Sequence, residues 1–280
     1  MISFESFVCP HCGGKLGLNE TGKSLVCNGE GKKHCFDLSS SGYVNFAPPS
    51  QSGSGDSKEA VRSRTRFLNS EAYAPIRDAV VALVKKYCCG GVVIDAGCGE
   101  GYYTNSIAQA YGGDVIGFDL SKFGVENAAK TAKRNSVENS FFGVGSVFSM
   151  PIADGCADAV VNIFAPCVEA EYSRVLNSQG VLITAGAGEN HLLGLKRAIY
   201  DTTYKNTERD DMPQGLALVE EQTVAFDLAL EGNEIILDLF SMTPYYYRTS
   251  ESDMKKLSAL DTLKTEIDVK IKVYRKEQSI

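Results

Sequence analysis

Four cysteines and a histidine near the start of the chain have the residue types and spacing of a zinc site. Cys9 and Cys12 stand on a predicted tight turn, and Cys27 begins a second half-site further along. Tetrahedral Zn²⁺ takes four thiolate or imidazole ligands, so a fourth must follow Cys27, and both His34 and Cys35 are candidates. The alternative is a set of small buried side chains, but polar, glycine-rich surroundings offer no core to bury them. Because so short a segment needs a metal to fold, the site is predicted to be structural.

A second group of residues surrounds a glycine-rich turn. Residues 92–94 form a β-branched apolar run that enters Asp95-x-Gly97-x-Gly99, and an apolar-periodic helix follows. This pattern predicts a buried parallel strand, a turn that a ligand can approach closely, and the opening helix of a nucleotide-binding α/β domain. Asp119 ends the next strand about twenty residues after the glycines, where an acid can bind both hydroxyls of a ribose.

The form of the glycine loop separates two cofactor classes. Its carboxylate, Asp95, precedes the glycines, which differs from the dinucleotide fingerprint of dehydrogenases and resembles motif I of class I S-adenosylmethionine-dependent methyltransferases. The resemblance implies a methyl-donor site that includes Asp95, Gly97 and Gly99, with Asp119 on the ribose. A dehydrogenase is the alternative. Many of these methyltransferases hold the adenine with an acid after the third strand, and here Gly145-Ser146 occupies that place.

The rest of the sequence supplies elements that would position these residues. Apolar runs predict further strands, and amphipathic patterns predict one helix before the glycine loop and a short one later. The expected strands are 114–119, 141–144, 157–164 and 180–184, and the expected helices are 71–87 and 169–176. Their order fits an α/β fold of the Rossmann-like class I methyltransferase type, with a mostly parallel sheet and a small N-terminal zinc-binding domain.

Length and composition set the domain organisation. A chain of 280 residues with 44% apolar content can bury a full core. We expect a zinc-binding domain at 1–46, a linker and basic helix at 47–70, and the methyltransferase domain at 71–280. No signal peptide and no membrane span is predicted, so we expect a cytoplasmic protein with reduced thiols. A net charge of −7 does not suggest a generic polyanion binder, so we expect any nucleic-acid contact to come from a local basic patch.

The second expected segment offers one such patch. Lys58, Arg62, Arg64 and Arg66 recur at helical spacings with Phe67 alongside. A solvated helix face would show the same pattern. Beside a zinc module and a methyl-donor site, the strip could instead bind phosphates.

Taken together, the motifs resemble the bacterial large-subunit rRNA guanine-N1 methyltransferases, the RlmA family, and the match runs nearly end to end. The motifs that carry the resemblance are Cys9-x-x-Cys12, Cys27, His34-x-Phe36-Asp37, Gly42-Tyr43-Val44-Asn45, Gly55-Asp56-Ser57, Arg64 with Phe67-Leu68, the loop from Asp95 to Thr104, Ala165-Pro166-Cys167 and His191-Leu192. The resemblance implies S-adenosylmethionine-dependent methylation of a guanine in a 23S rRNA hairpin. It also implies a homodimer whose zinc domains line an RNA cleft, and some family members confer macrolide resistance.

The resemblance also assigns residues. It implies zinc ligation by Cys9, Cys12, Cys27 and His34, because the family's histidine stands just before the x-Phe-Asp motif. It implies methyl-donor contacts from the residues Tyr73, Gly99, Glu100 and His191.

Methylation at guanine N1 makes two chemical demands. The N1 proton must leave, so a base is needed, and the sequence does not identify one. A paired guanine hides N1, so the base must be extruded, onto aromatic side chains such as Phe164 or those of residues 245–247. The tyrosines at 245–247 could equally be core-facing strand residues.

Three rival functions stay open at this stage. Pro166-Cys167 is also the motif of cytosine-C5 methyltransferases, whose thiolate attacks the base. A small-molecule methyltransferase would need neither the zinc module nor the basic strip. A non-enzymatic RNA-binding protein would not need the intact residues Asp95, Gly97, Gly99 and Asp119.

Overall fold

The computed structural model describes residues 3–29, 31–51, 53, 55–207 and 213–277. Two sheets are present in this part of the chain. The smaller is an antiparallel sheet of three strands: β1 (Leu16–Leu18), β2 (Ser24–Cys27) and β3 (Cys35–Asp37). The larger is built from eight strands: β4 (Val44–Asn45), β5 (Val92–Ala96), β6 (Asp114–Asp119), β7 (Ser140–Val144), β8 (Ala157–Ile163), β9 (Leu176–Ala187), β10 (Leu216–Glu231) and β11 (Thr262–Lys276).

The large sheet has the strand order β10-β11-β9-β8-β5-β6-β7-β4. Strands β4 to β9 pair in parallel, whereas β11 is antiparallel to both β9 and β10. The chain adds β6 and β7 on one side of β5 and then β8 and β9 on the other, so the order reverses between β5 and β8. The loops after these two strands open a crevice at the carboxyl edge of the sheet. This arrangement confirms the predicted fold class.

The helices of the described residues cover both faces of this sheet or join its edge. They are α1 (Lys58–Asn69), α2 (Ala74–Tyr87), α3 (Tyr102–Ala110), α4 (Lys122–Arg134), α5 (Glu169–Val175), α6 (Leu193–Ile199), α7 (Asn233–Ser241) and α8 (Glu251–Ser258). Short 3₁₀ helices occur at Pro49–Gln51 and Tyr246–Arg248. Three helices have side-chain caps that explain where they begin. Ser57 accepts a hydrogen bond from Ala60 N at the start of α1, Ser121 accepts one from Gly124 N at the start of α4, and Ser250 accepts one from Asp253 N at the start of α8.

The predicted strands agree with the structure to within a few residues, since each is a run of β-branched and apolar residues bounded by turns. The predicted helix over 71–87 forms from Ala74 onward and buries Ile76, Val80 and Val84, as its periodicity requires. The tyrosines at 245–247 are not strand residues, because that segment turns into a 3₁₀ helix. No helix among the described residues is long and apolar enough to cross a membrane.

The small sheet packs directly against the large one. Phe7, Leu25 and Phe36 share a buried core with Phe118 and Phe141 of strands β6 and β7. The chain then adds strand β4, which pairs with β7 at the edge of the large sheet. The division at residue 46 therefore stays a prediction, and the two parts share a continuous apolar core.

Candidate functional site

The predicted metal ligands converge on one point. Cys9, Cys12, Cys27 and His34 each place one ligand atom within 4.8 Å of the other three. The Sγ atoms of Cys12 and Cys27 are 3.8 Å apart, and His34 Nδ1 lies 3.5 Å from Cys9 Sγ and 3.6 Å from Cys27 Sγ. Zinc bonds of tetrahedral geometry require S···S separations of about 3.8 Å and S···N separations of about 3.6 Å. The residues therefore fit Zn²⁺.

The structure also distinguishes the two candidates for the fourth ligand. Cys35 lies outside the cluster, is exposed, and contacts Asp37 Oδ1 at 3.8 Å. His34 is fixed beside Cys27 by its backbone, because its N–H donates to Cys27 Sγ at 3.0 Å. That hydrogen bond lowers the pKa of the Cys27 thiol to about 6, which favours the thiolate that binds metal.

The glycine loop follows β5 in a conformation that only glycine adopts without strain. Gly97 and Gly99 have φ angles of 90° and 53°. A Cβ on Gly97 would lie 2.7 Å from the side chain of Ala165, in the loop after β8. The loops after β5 and β8 are therefore in close contact at the carboxyl edge of the sheet.

The two acids of the predicted nucleotide site hold this loop; Asp95 is buried and Asp119 is half-buried. Asp95 accepts a hydrogen bond from Thr104 Oγ1 at 2.6 Å, and burial raises the pKa of the Asp95 carboxyl to about 7. Asp119 accepts hydrogen bonds from Gly99 N at 3.0 Å and from Ser121 N at 2.7 Å. Each Asp119 oxygen keeps one lone pair, so the carboxylate can still accept from ligand hydroxyls.

The basic strip predicted along α1 does not form one phosphate-binding surface. Arg64 turns inward, where its Nε donates to Glu100 of the glycine loop and its Nη1 donates to Asp56 at 2.6 Å. Arg66 instead pairs with Asp238 of α7 at 2.6 Å. These carboxylates offset both positive charges, so phosphate binding by the strip stays a prediction that these two arginines do not support.

Three aromatic side chains close the other end of the crevice. Phe164, directly after β8, stacks on His191 with ring centroids 5.5 Å apart, and Tyr73 lies 6.3 Å from His191. Phe164 adopts a left-handed conformation with φ 52° and stays 45% exposed, whereas His191 and Tyr73 are buried. A strained, solvent-facing aromatic residue beside a ligand crevice is typical of a functional site.

The hydrogen bonding of His191 defines what it can do. Its Nδ1 accepts a hydrogen bond from the backbone N–H of Asp268 at 3.3 Å, and burial lowers the pKa of the imidazole to about 4. At neutral pH the ring is therefore uncharged and carries its proton on Nε2. In this state Nε2 can donate a hydrogen bond, and Nδ1 is already occupied as an acceptor.

Residues that the sequence analysis did not single out also belong to the site. Asp268 of β11 orients His191, and its carboxylate accepts from Asn190 N at 3.0 Å. The buried hydroxyl of Tyr103 has no hydrogen-bond partner among the described residues, although it lies close enough to Tyr73 and Glu100 to interact with them electrostatically. An unsatisfied buried hydroxyl at this position fits a polar ligand group. In the sequence, the only signal that points to Tyr103 is its position just after the glycine loop.

A family model described as a methyltransferase domain matches residues 89–234, just over half of the chain. This chain belongs to that methyltransferase family. The matched range contains the glycine loop, both acids, Phe164 and His191. The fold and the family together confirm the prediction of an S-adenosylmethionine-dependent methyltransferase.

Curated relatives of this methyltransferase extend the match beyond the family model. A Bacillus subtilis (strain 168) protein, YxjB, provisionally named a 23S rRNA (guanine-N(1)-)-methyltransferase, is 29% identical over 98% of this chain and 99% of its own. The 23S rRNA (guanine(748)-N(1))-methyltransferase of Streptomyces fradiae is 29% identical over 68% of this chain and 66% of its own. A Micromonospora griseorubida protein, also provisionally named a 23S rRNA (guanine-N(1)-)-methyltransferase, is 28% identical over 67% of each chain. These relatives confirm the resemblance found in the motifs.

Proposed function

We propose that this methyltransferase transfers a methyl group from S-adenosylmethionine to N1 of a guanine in 23S rRNA. The observation that carries the proposal is the alignment with the Bacillus subtilis relative, which includes the metal cluster as well as the methyltransferase domain and covers 98% of this chain. A shared methyltransferase domain would support only the reaction type. Similarity over both parts supports the substrate as well.

The residues of the crevice fit the methyl donor. S-adenosylmethionine, when bound, supplies a methyl group on an electrophilic sulfonium. Gly97 and Gly99 expose backbone to it, Asp119 has free lone pairs for the ribose hydroxyls, and Asp95 and Glu100 place carboxylates near its positive groups. Tyr73 and His191 close the site at the end where Phe164 faces solvent.

Phe164 is the proposed platform for the target base. An unpaired guanine can stack on its exposed ring while N1 faces the donor site, and base stacking on aromatic residues contributes about 1–3 kcal/mol per base. Tyr245 is a poor alternative because its ring packs against Phe240 and its hydroxyl is buried. His191 is a poor acceptor for the N1 proton because its Nδ1 already accepts from Asp268 N, so its proposed contribution is to donate a hydrogen bond from Nε2.

The metal-binding part supplies a second basic surface. Lys15, Lys23, Lys32 and Lys33 are exposed, and none of them forms an ion pair with a described residue. Lys15 and Lys33 line an open groove of about 450 Å³ together with Asn28 and Phe4. We propose that this groove contacts the phosphates of an rRNA hairpin, that zinc is structural there, and that the enzyme works as a cytoplasmic homodimer.

Methylation of transcribed 23S rRNA fragments by the purified protein tests the proposal. Mass mapping should find one methylated guanine, and the methyl group on N1 should also stop reverse transcription. The Cys167→Ala variant is the matched control for a covalent cytosine mechanism, and it should keep its activity. Methylated cytosine, methylation abolished by that variant, or no methylation of any fragment would contradict the proposal.

A further inference from the structure

Arg64 enters the methyl-donor crevice from outside the matched methyltransferase domain. It lies on α1, which precedes residues 89–234 in the sequence, yet its side chain reaches the glycine loop. A Cβ on Gly99 would lie only 3.2 Å from Arg64 Nη2 and 3.6 Å from Nε and Cζ. The guanidinium thus lies against the backbone that the donor must approach.

Two of the three guanidinium nitrogens are already fixed. Nε donates to Glu100, and Nη1 donates to Asp56 Oδ2 at 2.6 Å. Asp56 is itself held, because Ser121 Oγ donates to the Asp56 carbonyl at 2.8 Å. Nη2 donates to none of the residues that the structure describes, so its two N–H groups lie beside the Gly99 backbone without a protein acceptor.

The surrounding charge determines what Nη2 can bind. Asp95 and Glu100 are buried and Asp119 is half-buried around the same loop, and loss of solvent raises the pKa of all three carboxyls. They favour the positive amino and sulfonium groups of the donor and repel its carboxylate. The Arg64–Glu100 pair can bind both charged groups of an amino-acid zwitterion. The ammonium group would lie near Glu100, and the carboxylate would accept hydrogen bonds from Arg64.

We propose that Arg64 binds the α-carboxylate of S-adenosylmethionine through Nη2, so that α1 completes the donor site. This inference depends on one part of the proposed function, namely that S-adenosylmethionine binds at the glycine loop. It gives α1 a role in cofactor binding instead of the RNA contact expected from its basic sequence. It also explains why position 99 has no side chain, since a Cβ would push the guanidinium away.

Equilibrium binding of two probes tests the proposal: S-adenosylmethionine and decarboxylated S-adenosylmethionine, which lacks only the carboxylate. The parent protein should bind the first about 10- to 100-fold more tightly, as expected for a hydrogen bond between charged groups. Arg64→Gln should reduce this preference to within about threefold, and Arg64→Lys, which keeps the charge without the fork, should be intermediate. Arg66→Gln, on the same helix and away from the loop, is the matched control and should keep the parent's preference.

The outcomes separate this proposal from the proposed function. A parent protein that binds neither probe would contradict the donor site itself. A parent that binds both probes equally would overturn the role of Arg64 alone, whether or not any variant folds. An unchanged preference in folded Arg64→Gln would overturn it too, because a structural role weakens both probes equally.

Discussion

Phe7 joins the metal-binding part to the methyltransferase sheet, and its removal should destabilise both at once. Its side chain is 0% exposed, and its ring lies 5.2 Å from Phe141 of β7, 6.4 Å from Phe118 of β6 and 6.3 Å from Phe46. Its backbone also bridges to Ile152. We therefore expect the metal cluster and the large sheet to unfold as one cooperative unit.

The size of the effect follows from the burial. Replacing a fully buried phenylalanine by alanine removes its apolar surface and leaves a cavity, at a cost of about 3–5 kcal/mol. For a domain of this size, each kcal/mol lowers Tm by roughly 2–4 °C, so Phe7→Ala should lower Tm by roughly 6–20 °C. Leu18→Ala changes a residue of β1 that is 43% exposed, and a surface change should alter stability by only about 0.5 kcal/mol.

The assay follows two signals during heating of the zinc-loaded protein. A chromogenic chelator reports release of zinc from the cluster, and near-ultraviolet circular dichroism of the tyrosines reports the large sheet, since the chain has 13 tyrosines and no tryptophan. Both midpoints should coincide in the parent and shift together in Phe7→Ala. Zinc release at a clearly lower temperature than the tyrosine signal would refute the reasoning and would favour an independently folded zinc domain.

Three further predictions concern the crevice. His191→Leu removes the Nε2 donor and should weaken S-adenosylmethionine binding about 10-fold. His191→Gln keeps an N–H and should weaken binding less. Equal losses of affinity for the two variants, measured by calorimetry, would contradict the donor role. Burial raises the pKa of Asp95 to about 7, whereas in the unfolded chain it is about 4. The free energy of unfolding of the parent protein should therefore fall as the pH rises from about 4 to 7, because ionising the buried carboxyl destabilises the folded state. Urea denaturation measures the difference in the free energy of unfolding between Asp95→Asn and the parent. This difference should grow in favour of Asp95→Asn by up to about 1.4 kcal/mol per pH unit from pH 5.5 to 7, with no further gain above pH 7.5. A difference that does not change with pH would argue against this. Phe164→Ala should lower rRNA methylation about 5- to 100-fold with donor affinity nearly unchanged, and a parallel loss of donor affinity would place Phe164 in the donor site instead.

The sequence was most informative where chemistry depends on local spacing. The zinc ligands Cys9, Cys12 and Cys27 followed from their separation, and strands β5 to β9 followed from short apolar runs that end in glycine or acidic residues. Such patterns are local because a turn, a strand face or a ligand pair involves few consecutive residues. The glycine loop with Asp95 and Asp119 was predictable for the same reason.

Tertiary structure decided the features that depend on distant partners. The direction of Arg64 depends on Glu100, 36 residues later, and that of Arg66 on Asp238, 172 residues later, so a helix that looked like one basic strip has two neutralised arginines. The tautomer of His191 is set by a backbone N–H 77 residues further along the chain.

Residue types and their spacing thus determined that this chain can hold zinc and a methyl donor. Only the folded chain decided which charges are neutralised, which histidine nitrogen carries the proton and which aromatic ring faces solvent. Hydrogen bonds and ion pairs between distant segments leave no periodic pattern in the sequence, because their partners become neighbours only when the sheet assembles.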